Sequence, residues 1–456
     1  MTSEGMIWIK ANEKFLGEIS DTIWGYAETG LKEYRSSAYL EDIFEKAGFT
    51  VRRGVAGMET AFVAEYGCGH PHIGLLAEYD ALPGLSQAVS HEQKIYEKVP
   101  CAGHGCGHNA LAAAVTGGGL AIAQDIQKGQ VKGKVTVFGC PAEELLIGKG
   151  RMAESGLFDE CDVLLSCHPN DVNYVWARTS NAVWSGKFSF TGRTAHAAID
   201  PYNGRSALDA VELMNVGANY LREHVTPDVR IHYVITNGGE VPNVVPKSAQ
   251  VWYTIRAQNR ESVQTLKARI QNLALGASIM TETTFETETV SDCSDVLRNK
   301  VLEQVLLESM KETGAPVWTE EEYRFAERIS ENVAEGLKRK AHSEYHLDGQ
   351  VYRGLHTGIY DGFYREGETM AVSTDVGDAS WRVPTGVFSF ASTVIGSPGH
   401  SWLYTSCCGS SIARKGVSMA AQVLLRTAEK LYEDHKRIIM AAEEFKKEQT
   451  VREEMF

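Results

Sequence analysis

Residues 134–144 read KVTVFGCPAEE, and this stretch predicts both how the chain folds and where its chemistry lies. The run KVTVFGC is apolar and rich in β-branched and aromatic residues, which predicts a buried strand. Proline, alanine and the adjacent Glu143 and Glu144 follow it directly. Two neighbouring carboxylates repel each other unless a cation lies nearby or one of them is protonated. Ligands and catalytic bases collect at the carboxyl ends of strands in open α/β sheets, so the stretch predicts a polar site at a sheet edge.

Further strands and helices of the same domain are predicted on both sides of this stretch. Short β-rich runs lie at 60–66, 73–78 and 162–167, and a helix of small residues is predicted from 108 to about 126. This alternation predicts an α/β domain with a mixed, mostly parallel sheet and helices on both faces.

Helical segments are also predicted near both ends of the chain. Helical periodicity runs through 16–47, and Gly48 follows as the residue that ends the helix. After about residue 297 helices return, followed by a strand at 387–396 and a long terminal helix from about residue 410. These segments complete the α/β domain.

The pattern changes at about residue 185, which indicates an inserted domain. The predicted order is strand, helix, strand, strand, helix, strand, at 185–192, 204–223, 230–237, 249–257, 261–276 and 281–289. A β-α-β-β-α-β order is typical of a ferredoxin-like α+β fold. The simplest assembly is an α/β catalytic domain from 1–184 and 298–456, interrupted by an α+β domain at 185–297.

Composition and charge exclude several classes of function. The 456-residue chain is 43% hydrophobic and carries a formal net charge of -14 without a basic patch, which argues against nucleic-acid and anionic-membrane partners. Nine irregularly spaced cysteines do not make a disulfide framework. The chain shows neither a signal-peptide pattern nor an apolar run of about 18–20 residues, so we expect a cytoplasmic protein.

Four segments carry residues that suit a metal centre. They contribute thiolate, imidazole and carboxylate donors at the start of the small-residue helix and after three predicted strands: Cys106, His108, Glu144, His168 and His400. Such donors suit Zn²⁺ or, with fewer thiolates, Mn²⁺ or Co²⁺. Five ligands suit two ions that share Cys106, and Glu143 is then left to act as a general base on water.

Several motifs occur in an order that resembles a known family: AEYDALPG at 77–84, GHGCGHNA at 103–110, PAEE at 141–144, SCHP at 166–169, GRTAHAA at 192–198, GGEVPNVVP at 238–246, WYTIRA at 252–257, STDVGDASW at 373–381 and GSPGHSW at 396–402. The chain resembles the M20 metallopeptidase family, its amidohydrolase branch and, within that branch, the B-subunit type of aminobenzoyl-glutamate hydrolase. The motifs span most of the chain.

The resemblance implies a role for each metal-site residue. Cys106 corresponds to the bridging thiolate, His108 and His168 to ligands on opposite ions, Glu144 and His400 to the remaining ligands and Glu143 to the general base. Asp80 corresponds to an aspartate that orients a ligand imidazole. Glu78 stands where many peptidases of the family have a metal-binding histidine. Asn109 stands where hippurate-type members have aspartate, and its amide cannot serve as an anionic bridge.

The resemblance also implies roles for the inserted domain, which we expect to serve as a dimerisation and lid domain. His196 corresponds to a histidine that reaches the site of a neighbouring protomer and stabilises the oxyanion. Asn243 and Arg256 correspond to a pair that grips a substrate carboxylate. A homodimer is therefore implied, and a related partner subunit is possible.

The implied activity is hydrolysis of the amide bond of an N-acyl or N-aroyl amino acid with a free carboxylate, such as p-aminobenzoyl-glutamate. Three alternatives remain open at this point. The chain could be a dipeptidase for β-alanyl or basic dipeptides, a thiol enzyme with Cys106 as nucleophile and His108 as base, or a non-catalytic binding module.

Overall fold

The computed structural model describes residues 2–96, 101–363 and 365–454. The chain forms two compact units. The larger unit comprises the described residues of 1–179, 297–368 and 378–455, and the smaller unit comprises 180–296 and 369–377. Each unit has its own hydrophobic core.

The larger unit is built on a seven-stranded sheet. Its strands in chain order are β1 (Thr50–Arg53), β2 (Phe62–Gly67), β3 (His72–Glu78), β4 (Lys134–Cys140), β5 (Val163–Asn170), β6 (Tyr174–Val175) and β11 (Thr385–Ala391), where β7 to β10 belong to the smaller unit. The spatial order is β1-β2-β4-β3-β5-β11-β6. The four central strands run parallel to one another, whereas β1, β2 and β6 join them in antiparallel fashion.

Helices cover both faces of this sheet. They are α1 (Glu4–Ala11), α2 (Glu13–Tyr26), α3 (Tyr34–Lys46), α4 (His108–Gln127), α5 (Gly148–Glu154), α8 (Lys300–Thr313), α9 (Glu320–Ser330), α10 (Glu335–Glu344), α11 (Val376–Ser380), α12 (Trp402–Cys408), α13 (Ser411–Glu433) and α14 (His435–Glu454), with α6 and α7 in the smaller unit. Adjacent strand residues alternate between two cores, since Leu75 and Val137 join one cluster and Leu76 and Phe138 join the other. A parallel sheet buried on both faces in this way confirms the predicted α/β class.

Helix α4 is buried on almost all sides because its residues are small. Alanine and glycine dominate it, and all but three of its residues are buried. A Cβ atom on Gly119 would lie 2.6 Å from Val137 Cγ2, and one on Gly118 would lie 2.9 Å from Leu424 Cβ. The helix can therefore lie close to strand β4 and to α13 at once. This packing holds the first residue of α4, His108, at the edge of the sheet.

The smaller unit has the predicted β-α-β-β-α-β order. Its elements are β7 (Ala182–Thr191), α6 (Ala207–Leu221), β8 (Arg230–Asn237), β9 (Ser248–Ala257), α7 (Arg260–Thr281) and β10 (Thr284–Cys293). The four strands form an antiparallel sheet in the order β8-β9-β7-β10. Both helices pack against this sheet through one apolar cluster. The ferredoxin-like prediction is confirmed.

The helix predicted over 16–47 is interrupted. Ala27 adopts a left-handed conformation with φ of 45° and ends α2, and α3 begins only at Tyr34. The Glu28 carboxylate accepts hydrogen bonds from the backbone N–H groups of Arg35 and Ser36, which stabilises the start of α3. Gly48 follows α3 with φ of 87°, as predicted.

The observed units differ in two places from the predicted domains. The predicted boundary at 184/185 lies inside strand β7, whose Ala182–Thr191 segment is continuous. Residues 369–377 belong to the smaller unit, although the prediction assigned them to the catalytic domain. Backbone and side-chain hydrogen bonds join this segment to Asn181 and Cys293, which are distant in sequence. Contacts between residues so distant in sequence leave no periodic pattern, so the sequence could not predict them.

Candidate metal centre

The predicted ligands meet at one edge of the larger sheet. Asp80 follows β3, Glu143 and Glu144 follow β4, and His168 lies near the end of β5. His400 follows β11 after a loop, and Cys106 and His108 lie at the start of α4. Because the central strands are parallel, their carboxyl ends all open at the same edge.

Two groups of donor atoms share Cys106. The first is Cys106, His108 and His168, and the second is Cys106, Glu144 and His400. Within each group the donor atoms lie within 4.8 Å of one another. A thiol that belongs to both groups is compatible with the predicted bridging role of Cys106.

The donor atoms of two histidines lie close to the Cys106 thiol. His108 and His168 fall in the same group with Cys106, and their expected placement on opposite ions stays a prediction. Their rings lie 5.9 Å apart at 87°, and Cys106 Sγ lies 3.5 Å from His168 Nε2. The reason is topological, because α4 begins directly beside the end of β5.

The spacing of the donor atoms suits direct coordination. Two ligands of one tetrahedral ion at about 2.0–2.3 Å lie about 3.3–3.6 Å apart. Cys106 Sγ and His168 Nε2 are 3.5 Å apart, and Glu144 Oε2 and His400 Nε2 are also 3.5 Å apart. The side chains therefore stand at the separation that a shared cation requires.

Asp80 orients two of these side chains. Its Oδ1 lies 2.8 Å from His108 Nδ1, and its Oδ2 accepts a hydrogen bond of 2.9 Å from the backbone N–H of Glu144. With its Nδ1 proton shared with Asp80, His108 directs Nε2 towards the centre, where a metal ion would replace the proton on that nitrogen. These contacts are compatible with the predicted orienting role of Asp80.

His168 is oriented in the same way by the main chain. Its Nδ1 lies 2.7 Å from the carbonyl oxygen of Pro169, which can only accept a hydrogen bond. The ring proton is therefore on Nδ1, and Nε2 faces Cys106 with a lone pair. Both histidines of the first group expose the nitrogen that a metal ion needs.

Burial raises the pKa of two acidic groups of the site, Cys106 and Glu144, and so favours their protonated forms. Burial raises the pKa of the Cys106 thiol to about 12. Burial, with the negative charge of Asp80, raises the pKa of Glu144 to about 7. Burial and the charge of His108 lower the pKa of His168 to about 4, so this imidazole is neutral at pH 7. Metal ions displace protons from such groups when they bind.

The backbone is strained where the ligands are presented. Ala142 and Leu146, on either side of the short turn Glu143–Leu145, have φ of 58° and 56°. His400 has φ of 56°. Non-glycine residues rarely adopt this left-handed conformation, and it concentrates at functional sites.

The donor set fits divalent metal ions. Within the described residues, three buried atoms of the site have no hydrogen-bond partner: Glu78 Oε2, His108 Nε2 and Glu144 Oε1. Buried polar atoms without partners are costly, and divalent ions bound at the site would satisfy them. Thiolate, imidazole and carboxylate donors together match Zn²⁺ and related ions.

Two residues beside the site carried no recognisable signal in the sequence. Lys149, fully buried in the first turn of α5, lies with Nζ 2.7 Å from Glu78 Oε1. Glu33 is fully buried behind Ala142 and accepts its backbone N–H at 2.8 Å. A lysine early in a short helix and a glutamate in a loop are normally solvated, so only the fold identifies them.

Asn109 is directed away from the centre. Its side-chain amide donates to Ser20 Oγ at 2.9 Å and to the carbonyl oxygen of Cys408 at 3.0 Å. These bonds tie the start of α4 to α2 and α12. The Asn109 amide therefore contributes to the packing of these helices.

His196 and Asn243 lie together in the smaller unit. His196 is exposed, and its Nδ1 accepts backbone hydrogen bonds from Ala198 and Ile199, both at 3.2 Å. The ring proton is therefore on Nε2, which remains able to donate. The backbone N–H of Ala197 donates to the carbonyl oxygen of Asn243 at 3.1 Å, so both residues lie at one end of the small sheet.

Arg256 lies near the other end of that sheet. It pairs with Val183 and Arg230 near the end of β9, and one of its guanidinium N–H groups donates to Ser373 Oγ at 2.9 Å. At about 3.3 Å per residue, about 26 Å of strand separate Ser248 from Arg256. Asn243 and Arg256 therefore lie apart within one chain, because their 13-residue spacing spans most of β9, and their role in binding a substrate carboxylate stays a prediction.

Fold and site together define an α/β protein with an inserted α+β domain and a candidate centre for divalent ions. Residues 179–276 match the sequence family described as the peptidase dimerisation domain, M20_dimer. The chain is 36% identical over 436 residues to the B subunit of the p-aminobenzoyl-glutamate hydrolase of Escherichia coli (strain K12), an alignment that covers 93% of this chain and 91% of that protein. The chain belongs to the M20 family, which confirms the resemblance.

Two further similarities extend over most of the chain. The Xaa-Arg dipeptidase of Mus musculus is 28% identical over 427 residues, which cover 91% of this chain and 84% of that protein. The crystal structure of the aminobenzoyl-glutamate utilization protein from Klebsiella pneumoniae aligns with a TM-score of 0.62 at 17% identity, covering 92% of this chain and 97% of that one. This second similarity shows the fold. Among the described residues, no helix has the length and apolar character to cross a membrane.

Proposed function

We propose that the chain hydrolyses the amide bond of an N-aroyl amino acid with a free carboxylate, with p-aminobenzoyl-glutamate as the specific candidate. The two donor groups that share Cys106 carry the proposal. The identity over nearly the full length to one chain of a p-aminobenzoyl-glutamate hydrolase supports the choice of substrate.

The proposed cofactor is a pair of divalent ions, Zn²⁺ or Mn²⁺, held by Cys106, His108, Glu144, His168 and His400. Such ions supply Lewis acidity that makes water nucleophilic near neutral pH and polarises a carbonyl group. The protein contributes the fixed orientation of its ligands through Asp80 and the Pro169 carbonyl group.

Glu143 is the proposed general base. It is buried, and its Oε2 lies 3.8 Å from His108 Nε2, next to the centre. Its carboxylate takes a proton from the attacking water and delivers that proton to the leaving nitrogen, which would otherwise leave as an unstable amide anion. Glu144, the adjacent residue, is the proposed ligand, so the two carboxylates have separate tasks.

His196, Asn243 and Arg256 are the proposed substrate-binding residues. The Nε2–H of His196 can stabilise the oxyanion, and the Arg256 guanidinium can bind the substrate carboxylate. His196 and Asn243 lie at one end of the small sheet, and Arg256 lies near the other end. All three residues can therefore contact one substrate molecule only if two chains each contribute part of the binding site. The geometry of the smaller unit thus supports a site completed by a second copy.

The proposed dimer uses strand β8, an edge of the small sheet. Val234 and Ile235 of this strand are exposed, and so are Leu213, Val216 and Tyr220 on α6. The opposite edge, β10, exposes Glu286 and Glu288 instead, which disfavours strand pairing there. A matched dimerisation domain supports this assembly, and a related partner subunit is also compatible with it.

The decisive experiment joins metal analysis to activity. We expect two bound ions per chain in the wild type, and we expect Glu143→Gln to keep them while losing about 10²–10⁴-fold in turnover of p-aminobenzoyl-glutamate. Glu154→Gln, at an exposed position on α5, is the control and should keep full activity. A Glu143→Gln protein with its ions and full turnover would contradict the assignment of the base.

A dipeptidase is the second candidate, because a Xaa-Arg dipeptidase aligns over most of the chain. Turnover of p-aminobenzoyl-glutamate and of β-alanyl-lysine should be compared on one preparation. A preference for the dipeptide would replace the first proposal with the second. The thiol-enzyme alternative is disfavoured, because burial raises the pKa of Cys106 to about 12 and carboxylates surround it.

We also propose the cytoplasm as the compartment. All nine cysteines lie within the described residues and none of them forms a disulfide bond, and Cys68 and Cys101 are exposed. Exposed thiols persist in a reducing environment and are oxidised outside it. Activity that survives without reductant in an extracellular fraction, but is absent from the cytosol of the source cells, would contradict this assignment.

A further inference from the structure

A buried ion pair lies directly behind His108. Lys149 Nζ and Glu78 Oε1 are 2.7 Å apart, and the two side chains are only 0% and 2% exposed. Removing two charges from water costs several kcal/mol per ion, and the attraction between the two charges repays it only partly. The ion pair is therefore not explained by stability alone, and the other contacts of Glu78 indicate its role.

The second oxygen of Glu78 faces the metal centre. Glu78 Oε2 lies 3.3 Å from His108 Nε2, and among the described residues neither atom has a hydrogen-bond partner. His108 shares its Nδ1 proton with Asp80, so Nε2 presents a lone pair. Two acceptor atoms are stable at this distance only with a proton or a metal ion between them, and a metal ion that binds here displaces the proton.

The spacing equals that of the other ligand pairs. The 3.3 Å between Glu78 Oε2 and His108 Nε2 lies in the range of about 3.3–3.6 Å for two ligands of one tetrahedral ion. The donor atoms of Glu78, His108 and Glu143 also lie within 4.8 Å of one another. His108 thus belongs to two groups, and its single lone pair on Nε2 can bind only one ion.

We propose that Glu78 Oε2 is an additional ligand of the ion held by His108, and that Lys149 is the positioning residue that makes this possible. Lys149 holds Oε1, so the carboxylate can offer only Oε2 to the ion. The ammonium group also balances the charge of Glu78, so the added oxygen does not reduce the net positive charge of the centre. This inference rests on the proposed metal centre.

The two members of the pair should respond to metal in opposite ways. Glu78→Gln removes the ligand and leaves a buried ammonium group, so bound metal should stabilise this variant less than the wild type. Lys149→Met leaves a buried carboxylate whose charge the ion can compensate, so bound metal should stabilise this variant more. A pair that served folding alone would lose stability in both variants without any change in the metal-induced shift of Tm.

The experiment uses the full-length protein freed of metal with a chelator and titrated with Co²⁺. The readouts are the dissociation constant of each ion from chelator competition, the visible Co²⁺ absorption spectrum, which reports coordination number, and the metal-induced shift of Tm. For Glu78→Gln we expect affinity for one ion to fall at least about tenfold, with a changed spectrum.

A second buried pair in the larger unit provides the matched control. Arg298 and Glu303 are 2.7 Å apart and 13% and 3% exposed, and neither belongs to the candidate centre. Arg298→Met and Glu303→Gln should lower Tm without changing Co²⁺ affinity or the metal-induced shift. The double variant Glu78→Gln/Lys149→Met removes both charges and repeats the test if Glu78→Gln does not fold.

The outcomes separate this inference from the proposed function. Weaker binding of one ion by Glu78→Gln or by the double variant supports the inference. Wild-type affinities and an unchanged spectrum in those variants overturn it, while the two-ion centre stands. A wild-type protein that binds no divalent ion would instead overturn the proposed metal centre itself.

Discussion

Single residues near the centre act mainly by fixing other residues. Asp80 is the clearest example, because one carboxylate oxygen holds the His108 ring and the other holds the Glu144 backbone. Behind it, Glu33 accepts the backbone N–H of Ala142 and the hydroxyl of Thr60. Burial and the charge of Asp80 raise the pKa of Glu33 to about 7. The loops that carry the ligands are thus held by buried carboxylates.

Asp80→Asn should weaken metal binding. Asparagine keeps the shape of the side chain but removes the charge that stabilises the Nδ1–H of His108. We expect an affinity loss of about 10–100-fold for the ion bound by His108, measured by chelator competition. Asp42→Asn, at an exposed position of α3, should leave the affinity unchanged. An unchanged affinity in Asp80→Asn would mean that the ring is held by packing alone.

His356 should make the apoprotein less stable in acid. Burial lowers its pKa to about 4, and Asn173 donates two hydrogen bonds to its Nδ1. The unfolded chain binds this proton at about pH 6.5 and the native chain does not, so stability falls as the pH drops from about 6.5 to about 4, by up to about 3 kcal/mol. Urea midpoints at about pH 7.5 and about pH 5, with a chelator present, measure the effect.

The His356→Gln variant should flatten this dependence, because glutamine does not titrate. His342→Gln, at an exposed position of α10, should keep the wild-type dependence. Equal pH dependence in wild type and His356→Gln would show that other groups carry the acid sensitivity.

At the scale of elements, helix α4 determines where the site forms. Its small residues allow contact with β4 on one side and with α2 and α13 on the others. Gly107, which precedes it, has φ of 80°, and a Cβ atom there would lie 2.9 Å from Pro169 Cβ. The helix start and the end of β5 can therefore approach closely, which places His108 beside His168.

Gly119→Ala should destabilise the larger unit although alanine favours helices. The added Cβ atom would lie 2.6 Å from Val137 Cγ2 in the core. We expect a loss of about 1–3 kcal/mol in the free energy of unfolding, measured by urea denaturation. Gly336→Ala, in α10 with open space around it, should gain up to about 1 kcal/mol instead. Similar effects in both variants would show that packing around α4 is loose.

For the whole molecule, assembly follows from the edges of the small sheet and the separation of its binding residues. Strand β8 offers an apolar edge, and the exposed residues of α6 continue that surface. Val234→Lys should convert the proposed dimer to monomer, as measured by sedimentation. Glu288→Lys, on the opposite edge, should leave the dimer intact. A Val234→Lys protein that stays dimeric would place the interface elsewhere.

A mixing experiment tests whether two chains complete one site. Glu143→Ala and His196→Ala should each be inactive alone. After dissociation and reassociation of an equal mixture, half of the dimers pair the two variants and each has one complete site, so about a quarter of wild-type activity should return. Mixtures that stay inactive, with mixed dimers demonstrated by differential tagging, would show that His196 acts within its own chain.

Much of the fold could be predicted from the sequence because the signals are local. The strand KVTVFGC and the alternating segment at 281–289 show periodicity that depends only on neighbouring residues. The break at Ala27 and the transfer of residues 369–377 to the smaller unit were missed. Both depend on contacts with segments far away along the chain, which leave no periodic pattern.

The sequence by itself determined the element types, the two-part architecture, the family and the candidate donor residues. Each of these follows from the periodicity of neighbouring residues or from a short sequence motif. Only the tertiary structure decided how the donors divide into two groups around Cys106, that Lys149 neutralises Glu78, and that Asn243 and Arg256 lie apart. The physical reason is that coordination and ion pairing depend on distances of a few ångströms between atoms. Those distances are set by how whole strands and helices pack, and not by the residues next to each ligand.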